Sequence, residues 1–298
     1  MKLSIHSKSL AKRFTNVFSN LGNLTDSVLL YFNADGLYIQ GMDGSHVSFY
    51  EARFNNTWFT SYKIEEGDVC QIAVNLEYFK KILSTRADDQ IIYIEFNSTN
   101  PDVLTIIFRS MVKDSNEFPK EYEMTLMDID SEYMSIPEDD RSVQFNMDSK
   151  MFSSLVKQLI MFDEVLHISC NEDKVKFYSK GLEGSMSVDL FDNEKEYVNE
   201  YMIDEDYELK ISFALRYFEH FCAFTKVSPN VRLSFSNDFP VEIYYSLECD
   251  KVKKTADDGN DDGDVEENKP LSFLRFFLAP KIHDDDGDDG DDGDDGDD

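Results

Sequence analysis

Short runs of β-branched and aromatic residues, each followed by a turn sequence, make up most of the hydrophobic pattern of this 298-residue chain. Residues 90–96 and 103–108 are two such runs. The turn sequence between them contains Pro101, so the pattern predicts a hairpin. Further runs predict strands at 36–40, 175–178, 231–235 and 241–245. Many strands with close turns indicate antiparallel sheet.

Four segments have a helical period instead, with apolar residues every three or four positions, at 7–21, 75–86, 148–162 and 214–224. Asn75 is the predicted N-cap of the second helix, and either Asp148 or Ser149 caps the third. The start of the fourth helix is less well marked.

The chain contains an internal similarity at a nearly constant offset. Residues 72–79 resemble 211–218 at an offset of 139, and 35–40 resemble 173–178 at an offset of 138. The first and third helices have about the same separation. Chance similarity among β-rich segments is the alternative, but three features at nearly one offset favour a duplication of about 140 residues. The polar, Pro-containing stretch 127–141 is then the linker between two halves.

Composition excludes several classes of protein. Hydrophobic residues make up 41% of the chain and aromatic residues 13%, enough for a packed core. No apolar run approaches the roughly 18–20 residues of a membrane span, and the N-terminal residues lack the apolar stretch of a secretory signal. The four cysteines are dispersed and form no CxxC pair, so we expect reduced thiols in an intracellular protein and no zinc site.

The net charge of −31 is unevenly distributed. Residues 257–267 contain seven acids and 284–298 contain eleven, with no cation in either run, and removing both leaves −13. Both runs are of low complexity, so we expect them to be solvated, the first as an insertion between two elements and the second as a disordered tail.

The cations concentrate on the predicted helices. Residues 7–21 contain Lys8, Lys12 and Arg13 and no acid, and Lys8 and Lys12 share the face opposite the apolar stripe. If the four helices lie side by side, they form a positive surface that contacts phosphates without reading bases. An ordinary solvated helix face is the alternative, and Glu219 and His220 dilute the signal on the fourth helix.

Catalytic motifs are not persuasive. The chain has no phosphate-binding loop of the G-x-x-x-x-G-K-[ST] type and no dinucleotide fingerprint. His46 lies in the sequence MDGSHV, where a turn or binding-surface role is favoured over a catalytic one.

Several segments together resemble the eukaryotic-type sliding clamps of the proliferating cell nuclear antigen (PCNA) family. They are 37–48 (LYIQGMDGSHVS), 121–130 (EYEMTLMDID), 135–138 (SIPE), 168–170 (ISC), 212–217 (SFALRY) and 278–282 (LAPKI). The resemblance implies an α+β fold of two similar clamp domains, with antiparallel sheets outside and four helices lining the inside of a homotrimeric ring. The expected parts are an N-terminal domain at 1–126, a connector at 127–141, a C-terminal domain at 142–282 with the acidic insertion at about 250–270, and the tail at 283–298.

The resemblance also implies a function without catalysis or cofactors. The ring encircles double-stranded DNA, acts as a polymerase processivity factor, and tethers replication and repair proteins after a clamp loader has opened it. It would act in the nucleus, or at a viral replication site if the source is a large DNA virus. The residues matching DNA-facing positions are Lys12, Arg13, Lys81, Lys157, Arg216 and, at the end of the fourth helix, Lys226.

Two further sites are implied by the resemblance. The residues that match the partner-peptide pocket are Met42, His46, Val47, Met134, Ile136, Pro137, Pro240, Phe277, Leu278, Ala279 and Pro280. The subunit interface is expected to pair 121–126 of one chain with 184–190 of the next, through Tyr122, Met124, Leu126, Ser185 and Ser187.

Ser84 and Ser154 occupy positions that are often basic in the family, so we expect fewer positive charges on the DNA-facing surface of this chain. A clamp-fold scaffold that recruits partners without encircling DNA is therefore the alternative.

Overall fold

The computed structural model describes residues 1–64, 69–112, 116–129, 134, 141–194, 196–237, 239–248 and 271–281. The predicted acidic insertion and the predicted tail lie outside these residues, as does most of the connector.

The described part of the first half contains nine strands and two α-helices. In chain order they are β1 (Lys2–Ile5), α1 (Lys8–Leu21), β2 (Ser27–Asn33), β3 (Gly36–Met42), β4 (Ser48–Asn55), β5 (Ser61–Lys63), β6 (Cys70–Asn75), α2 (Leu76–Ser84), β7 (Gln90–Phe96), β8 (Val103–Ser110) and β9 (Lys120–Thr125). A short 3-10 helix, Asn56–Trp58, follows β4.

The second half repeats this order. Its elements are β10 (Val143–Asp148), α3 (Ser149–Leu159), β11 (Val165–Asn171), β12 (Lys174–Lys180), β13 (Ser185–Phe191), β14 (Glu200–Ile203), β15 (Leu209–Ala214), α4 (Leu215–Cys222), β16 (Asn230–Phe235), β17 (Val241–Ser246) and β18 (Phe273–Leu278). A 3-10 helix, Ala223–Lys226, extends α4. The predicted strands, the β7–β8 hairpin and the four helices are all confirmed.

Side-chain caps explain three of the helix starts. The Ser7 hydroxyl accepts from the Leu10 N–H, and the Asn75 side chain accepts from the Tyr78 N–H at 3.1 Å. Asp148, rather than Ser149, caps α3 by accepting from the N–H groups of Lys150 and Met151, both at 2.9 Å. Ala214 precedes α4 and has no side chain that can cap it, which explains the weak start signal in the sequence.

The strands form three antiparallel sheets. A nine-stranded sheet runs in the order β14-β10-β16-β17-β18-β4-β3-β2-β6, so it contains strands of both halves, which meet where β18 pairs with β4. A five-stranded sheet, β5-β1-β7-β8-β9, lies in the first half, and a four-stranded sheet, β13-β12-β11-β15, lies in the second. The expected α+β class of antiparallel sheets with four helices is confirmed.

Sheet order confirms the duplication. The five strands β14-β10-β16-β17-β18 repeat the order of β5-β1-β7-β8-β9, and β13-β12-β11-β15 repeat that of β4-β3-β2-β6. Each half thus consists of one five-stranded and one four-stranded block. The nine-stranded sheet joins the five-stranded block of the second half to the four-stranded block of the first.

Apolar side chains from the helices and the inner sheet faces form one continuous core. α1 contributes Phe14 and Phe18, which are both at most 1% exposed, and each such burial stabilises the fold by roughly 1.5–3 kcal/mol. Polar bonds also tie the halves together. The Trp58 indole N–H donates to the Leu247 carbonyl at 3.0 Å, and the Asn20 side chain donates to the Ala223 carbonyl at 2.9 Å.

Candidate functional sites

The predicted DNA-facing cations are distributed over all four helices. Lys12 and Arg13 lie on α1, Lys81 on α2, Lys157 on α3 and Arg216 on α4, and Lys226 ends the 3-10 helix after α4. α1 packs beside α2 and α3 beside α4. All six side chains are exposed except that of Arg13, which is half-buried. The cations therefore face solvent from the helix layer, on the side of the helices away from the core.

Arg13 differs from its neighbour Lys12 because its guanidinium is already engaged. Its Nη1 donates to the Glu248 carbonyl at 2.8 Å and to the Leu247 carbonyl at 3.4 Å. Leu247 and Glu248 come directly after β17, so Arg13 ties α1 to the last hairpin of the second half. These bonds hold the Arg13 guanidinium against the Leu247 and Glu248 carbonyls, so Arg13 is less free than Lys12 to turn toward an external phosphate.

Two other cations have intramolecular partners. Lys81 donates to the Glu77 carboxylate one helical turn earlier, at 2.5 Å, and this hydrogen bond and charge raise the pKa of the Lys81 ammonium. Arg216 donates to the Tyr217 hydroxyl at 3.2 Å. Both side chains are exposed, so these interactions are open to competition by a polyanion.

The predicted partner-peptide residues converge because β17, β18 and β4 are adjacent. In the strand register, Leu278 lies between Val241 and Ser48, so Pro240 comes close to the residues after β18. The Ala279 N–H donates to the Val47 carbonyl at 3.3 Å, which joins this segment to the loop after β3. Leu278 is 0% exposed and lies in the core, so it supports this surface from beneath rather than lining it.

Asp43 fixes the loop between β3 and β4 that carries His46 and Val47. Its carboxylate accepts from the N–H groups of Ser45 and Val47, both at 2.9 Å, and of Ser48. Burial acts to raise the pKa of Asp43, but these bonds and the Tyr217 hydroxyl outweigh it, so the pKa lies below 3.8. His46 has φ = 57°, a left-handed conformation in which the loop turns back.

Phe49 is a groove residue absent from the sequence prediction. It is the register partner of Phe277 on β18, and the two ring centroids lie 6.1 Å apart on the outer face of the sheet, away from the core. The available signal is the two-residue period of strands, which places Phe49 on the same face as Val47. We call the surface formed by Met42, Val47, Phe49, Pro240, Phe277, Ala279 and Pro280 the partner groove.

The connector contacts the same outer face at three points. The Met127 N–H donates to the Ala73 carbonyl of β6 at 2.9 Å. With its amide oriented to satisfy both partners, Gln40 of β3 donates to the Met134 carbonyl and accepts from the Met134 N–H, each at 2.9 Å. Arg141 donates to the Pro240 carbonyl at 2.5 Å. Two predicted pocket residues, Ile136 and Pro137, lie outside the described residues.

The predicted subunit interface consists of two strand edges. β9 ends the five-stranded sheet and β13 ends the four-stranded sheet, so each has one side without a strand partner among the described residues. Tyr122 and Leu126 are half-buried and Met124 is 5% exposed within the core, whereas Ser185 and Ser187 are exposed. A groove of about 400 Å³, the edge groove, runs between α3 and β13 and is lined in part by Met151, Leu155, Met186 and Val188.

Comparison with known proteins decides the family. Residues 1–133 match the family described as "Proliferating cell nuclear antigen, N-terminal domain", and 135–255 match "Proliferating cell nuclear antigen, C-terminal domain". A protein named proliferating cell nuclear antigen, from Chaetomium thermophilum, is 30% identical over 260 residues, covering 85% of this chain and 88% of the relative. The chain belongs to the PCNA family. Members of this family are DNA sliding clamps without enzymatic activity, as predicted.

Within this PCNA-family fold, Glu172 lies in the turn between β11 and β12. Its carboxylate accepts from the Asp206 N–H at 3.0 Å. Lys174, two residues on, forms an ion pair with Asp189 at 3.0 Å on the neighbouring strand. This ion pair holds the Lys174 side chain against the neighbouring strand, β13.

Neither a membrane-spanning helix nor a cluster of metal-binding side chains occurs among the described residues. No helix in those ranges is long and apolar enough to span a membrane. No group of three or more His, Cys, Asp or Glu side chains there is arranged to hold a metal ion. Cys170 and Cys222 are buried, and burial raises the pKa of both thiols to about 12.

Proposed function

We propose that three copies of this chain form a closed ring that encircles duplex DNA, increases polymerase processivity and tethers replication and repair proteins. The observation that carries the proposal is the pair of unpartnered strand edges, β9 and β13, in the described part of the chain. The internal duplication suggests how these two edges pair, with β9 of one chain against β13 of the next.

The β18–β4 contact shows how two blocks of the fold join. There, β18, the edge strand of a five-stranded block, pairs antiparallel with β4, the edge strand of a four-stranded block. Under the duplication, the counterparts of β18 and β4 are β9 and β13. These two strands belong to separate sheets of one chain, so in this proposal the equivalent contact forms between chains and gives a second nine-stranded sheet.

Such a contact is head-to-tail, so it must either close into a ring or continue as a filament. Pairing also covers two edges that otherwise invite aggregation. The edge groove beside β13 is lined by the half-buried side chains of Met151, Met186 and Val188, and the β9 side of a second copy presents Tyr122 and Leu126 to fill it. The number of three subunits comes from family membership.

DNA binding in this proposal is electrostatic and independent of sequence. Lys12, Lys81, Lys157, Arg216 and Lys226 are exposed on the helix layer and would contact phosphates from inside the ring, whereas Arg13 contributes less. Contacts to phosphates alone carry no base information, so the ring can slide. Encirclement, rather than affinity, keeps it on the DNA.

Partners dock in the partner groove by inserting an apolar and aromatic plug beneath the connector. The proposed partners are a DNA polymerase, an ATP-dependent clamp loader and other proteins that carry a PCNA-interacting peptide. The site of action is the nucleus, or a viral replication site if the source is a large DNA virus. We also propose the boundaries 1–126, 127–141, 142–282 and 283–298 for the two domains, the connector and the tail.

The direct test is polymerase extension on a primed circular template with a clamp loader and ATP. The proposal predicts longer products with the clamp, and shorter ones after Lys12→Glu or Lys157→Glu. Lys2→Glu, on the outer face of the five-stranded sheet, is the matched control and leaves product length unchanged. Products of equal length with and without the clamp would refute the proposal and favour a scaffold that recruits partners without encircling DNA.

A further inference from the structure

Four lysines concentrate on one face of a chain in which acids outnumber cations by about two to one. They lie on the outer face of the four-stranded sheet and are Lys174, Lys176 and Lys180 on β12 and Lys210 on β15. The strand residues of this face include one carboxylate, Asp189, which pairs with Lys174. We call this surface the lysine face.

The outer face of the five-stranded sheet has no such excess of positive charge. There, Lys2, Lys63 and Arg109 are matched by Glu95, Glu121 and Glu123. The duplicated counterpart of the lysine face, on strands β3 and β6 of the first half, is uncharged at all four positions. The residues there are Gly36, Tyr38, Met42 and Gln71.

The chain itself contacts that first-half face along one row of residues. Ala73, Leu29 and Gln40 are register neighbours across β6, β2 and β3. The chain leaving β9 bonds first to Ala73, through the Met127 N–H, and then to Gln40, through Met134. Met127 and Met134 of the connector therefore contact the two ends of this row of three residues.

The chain leaving β18 begins the same crossing in the second half. The counterparts of Ala73, Leu29 and Gln40 are Ser212, His167 and Tyr178, which are likewise register neighbours. The Lys281 N–H donates to the Ser212 carbonyl at 2.8 Å, as the Met127 N–H does to Ala73. Ser212 is 2% exposed although it lies on an outward-facing position of β15. The C-terminal segment thus reaches the lysine face at Ser212, which is the counterpart of Ala73, where the connector reaches the equivalent face of the first half.

Two residues after Lys281, the sequence continues into the Asp-Gly tail, with eleven Asp between 284 and 298. Crossing from β15 to β12 takes two strand spacings, roughly 10 Å, which is about three extended residues. The first acids, Asp284–Asp286, are therefore within reach of Lys210, beside Ser212, and of Lys176 and Lys180, which flank Tyr178.

We propose that the lysine face is the docking surface of this chain's own acidic tail, which crosses it along the path that the connector follows in the first half. The occupant is identified by charge complementarity and by the bond between Lys281 and Ser212 that starts the path. The tail would compete there with other anionic ligands. This proposal does not depend on ring formation.

Zero-length carbodiimide cross-linking of the full chain tests the proposal, because the reagent joins a carboxylate to an amine only when the two are in contact. Tryptic peptides should link residues 284–298 to Lys176, Lys180 and Lys210. The yield should collapse at about 1 M salt, where the Debye length is about 3 Å. A mixture of isotope-labelled and unlabelled chains should show the links within single chains.

The charge-reversal variant Lys176→Glu with Lys210→Glu should lose the link at Lys180, while Lys2→Glu with Lys63→Glu should keep it. The salt dependence of the unmodified chain serves as the test if the first variant misfolds. Absence of tail links, links spread equally to Lys2, Lys63, Lys12 and Lys157, or links only between chains would each overturn the proposal.

Discussion

The Gln40 side chain supplies both backbone hydrogen bonds of Met134, so one residue of β3 holds the connector as a neighbouring strand would. Gln40 is only 6% exposed. Its amide presents an NH2 donor group and a carbonyl acceptor side by side, which match the carbonyl and N–H of a single residue. The connector is thus fixed next to the partner groove, two residues along β3 from Met42.

Gln40→Leu should weaken binding of a plug-type peptide by about tenfold, because two hydrogen bonds that hold the connector are lost. Fluorescence anisotropy with a labelled peptide measures the affinity. Gln71→Leu, at an exposed position of β6, is the control and should bind as the unmodified chain does. Equal affinities for the two variants would show that the connector anchor does not support the groove.

Asp43→Ala should lower the free energy of unfolding at pH 7 by about 2 kcal/mol, because three backbone N–H groups lose a charged acceptor. Hydrogen bonds hold the pKa of Asp43 below 3.8 in the folded chain. The carboxylate therefore contributes fully to stability when the pH is above its unfolded-state pKa, and this contribution is lost as the pH falls through its folded-state pKa. The difference from the unmodified chain should therefore be constant between pH 7 and pH 5, and narrow below about pH 4.

Denaturant titrations across this pH range measure the difference in the free energy of unfolding between the Asp43 variant and the unmodified chain. Asp26→Ala, which removes an exposed carboxylate, is the control. A difference that vanished between pH 7 and pH 5 would contradict the assigned pKa direction and its cause.

Arg13→Ala should destabilise the fold by about 1.5–3 kcal/mol, because a charged donor to the Leu247 and Glu248 carbonyls is removed. Lys12→Ala, one residue earlier and exposed, should change stability by less than about 0.5 kcal/mol. Urea unfolding compares the two. If Lys12→Ala were as destabilising as Arg13→Ala, the guanidinium bonds would not be the reason that Arg13 differs.

Val188→Asp should convert the proposed ring to single chains, because it places an unpaired carboxylate in the apolar edge groove beside β13. Sedimentation or light scattering measures the mass, and circular dichroism checks that the variant is folded. Val165→Asp changes a valine on β11, away from the sheet edge, and should retain the assembly. If the Val188 variant misfolds, Met186→Glu tests the same groove. A folded Val188 variant of unchanged mass would place the interface elsewhere.

The local features of the fold were readable from the sequence. Asn75 and Asp148 predict helix starts, because a capping side chain bonds to backbone only two or three positions away and so depends on local sequence alone. The duplication was visible because Ile72 and Ile211 occupy the same place in two copies of one unit. Net charge was misleading as a single number, since more than half of the excess negative charge lies in two short runs.

Long-range contacts were not readable in the same way. No sequence pattern links Arg13 to Glu248 or Gln40 to Met134, because each pair meets only once the sheets have formed. Phe49 belongs to the partner groove through its register with Phe277, on a strand more than two hundred residues away. The residues of the groove carried by the β3–β4 loop and by β18 were named from family resemblance, and register explains why they meet.

Retention on DNA of defined topology tests the central claim, encirclement, most directly. The clamp is loaded with a loader and ATP onto a nicked circular plasmid and washed at high salt, and the bound protein is then measured before and after the circle is cut once. A ring that encircles DNA stays on the intact circle and slides off the linear molecule. Equal amounts of bound protein on circular and linear DNA would contradict encirclement.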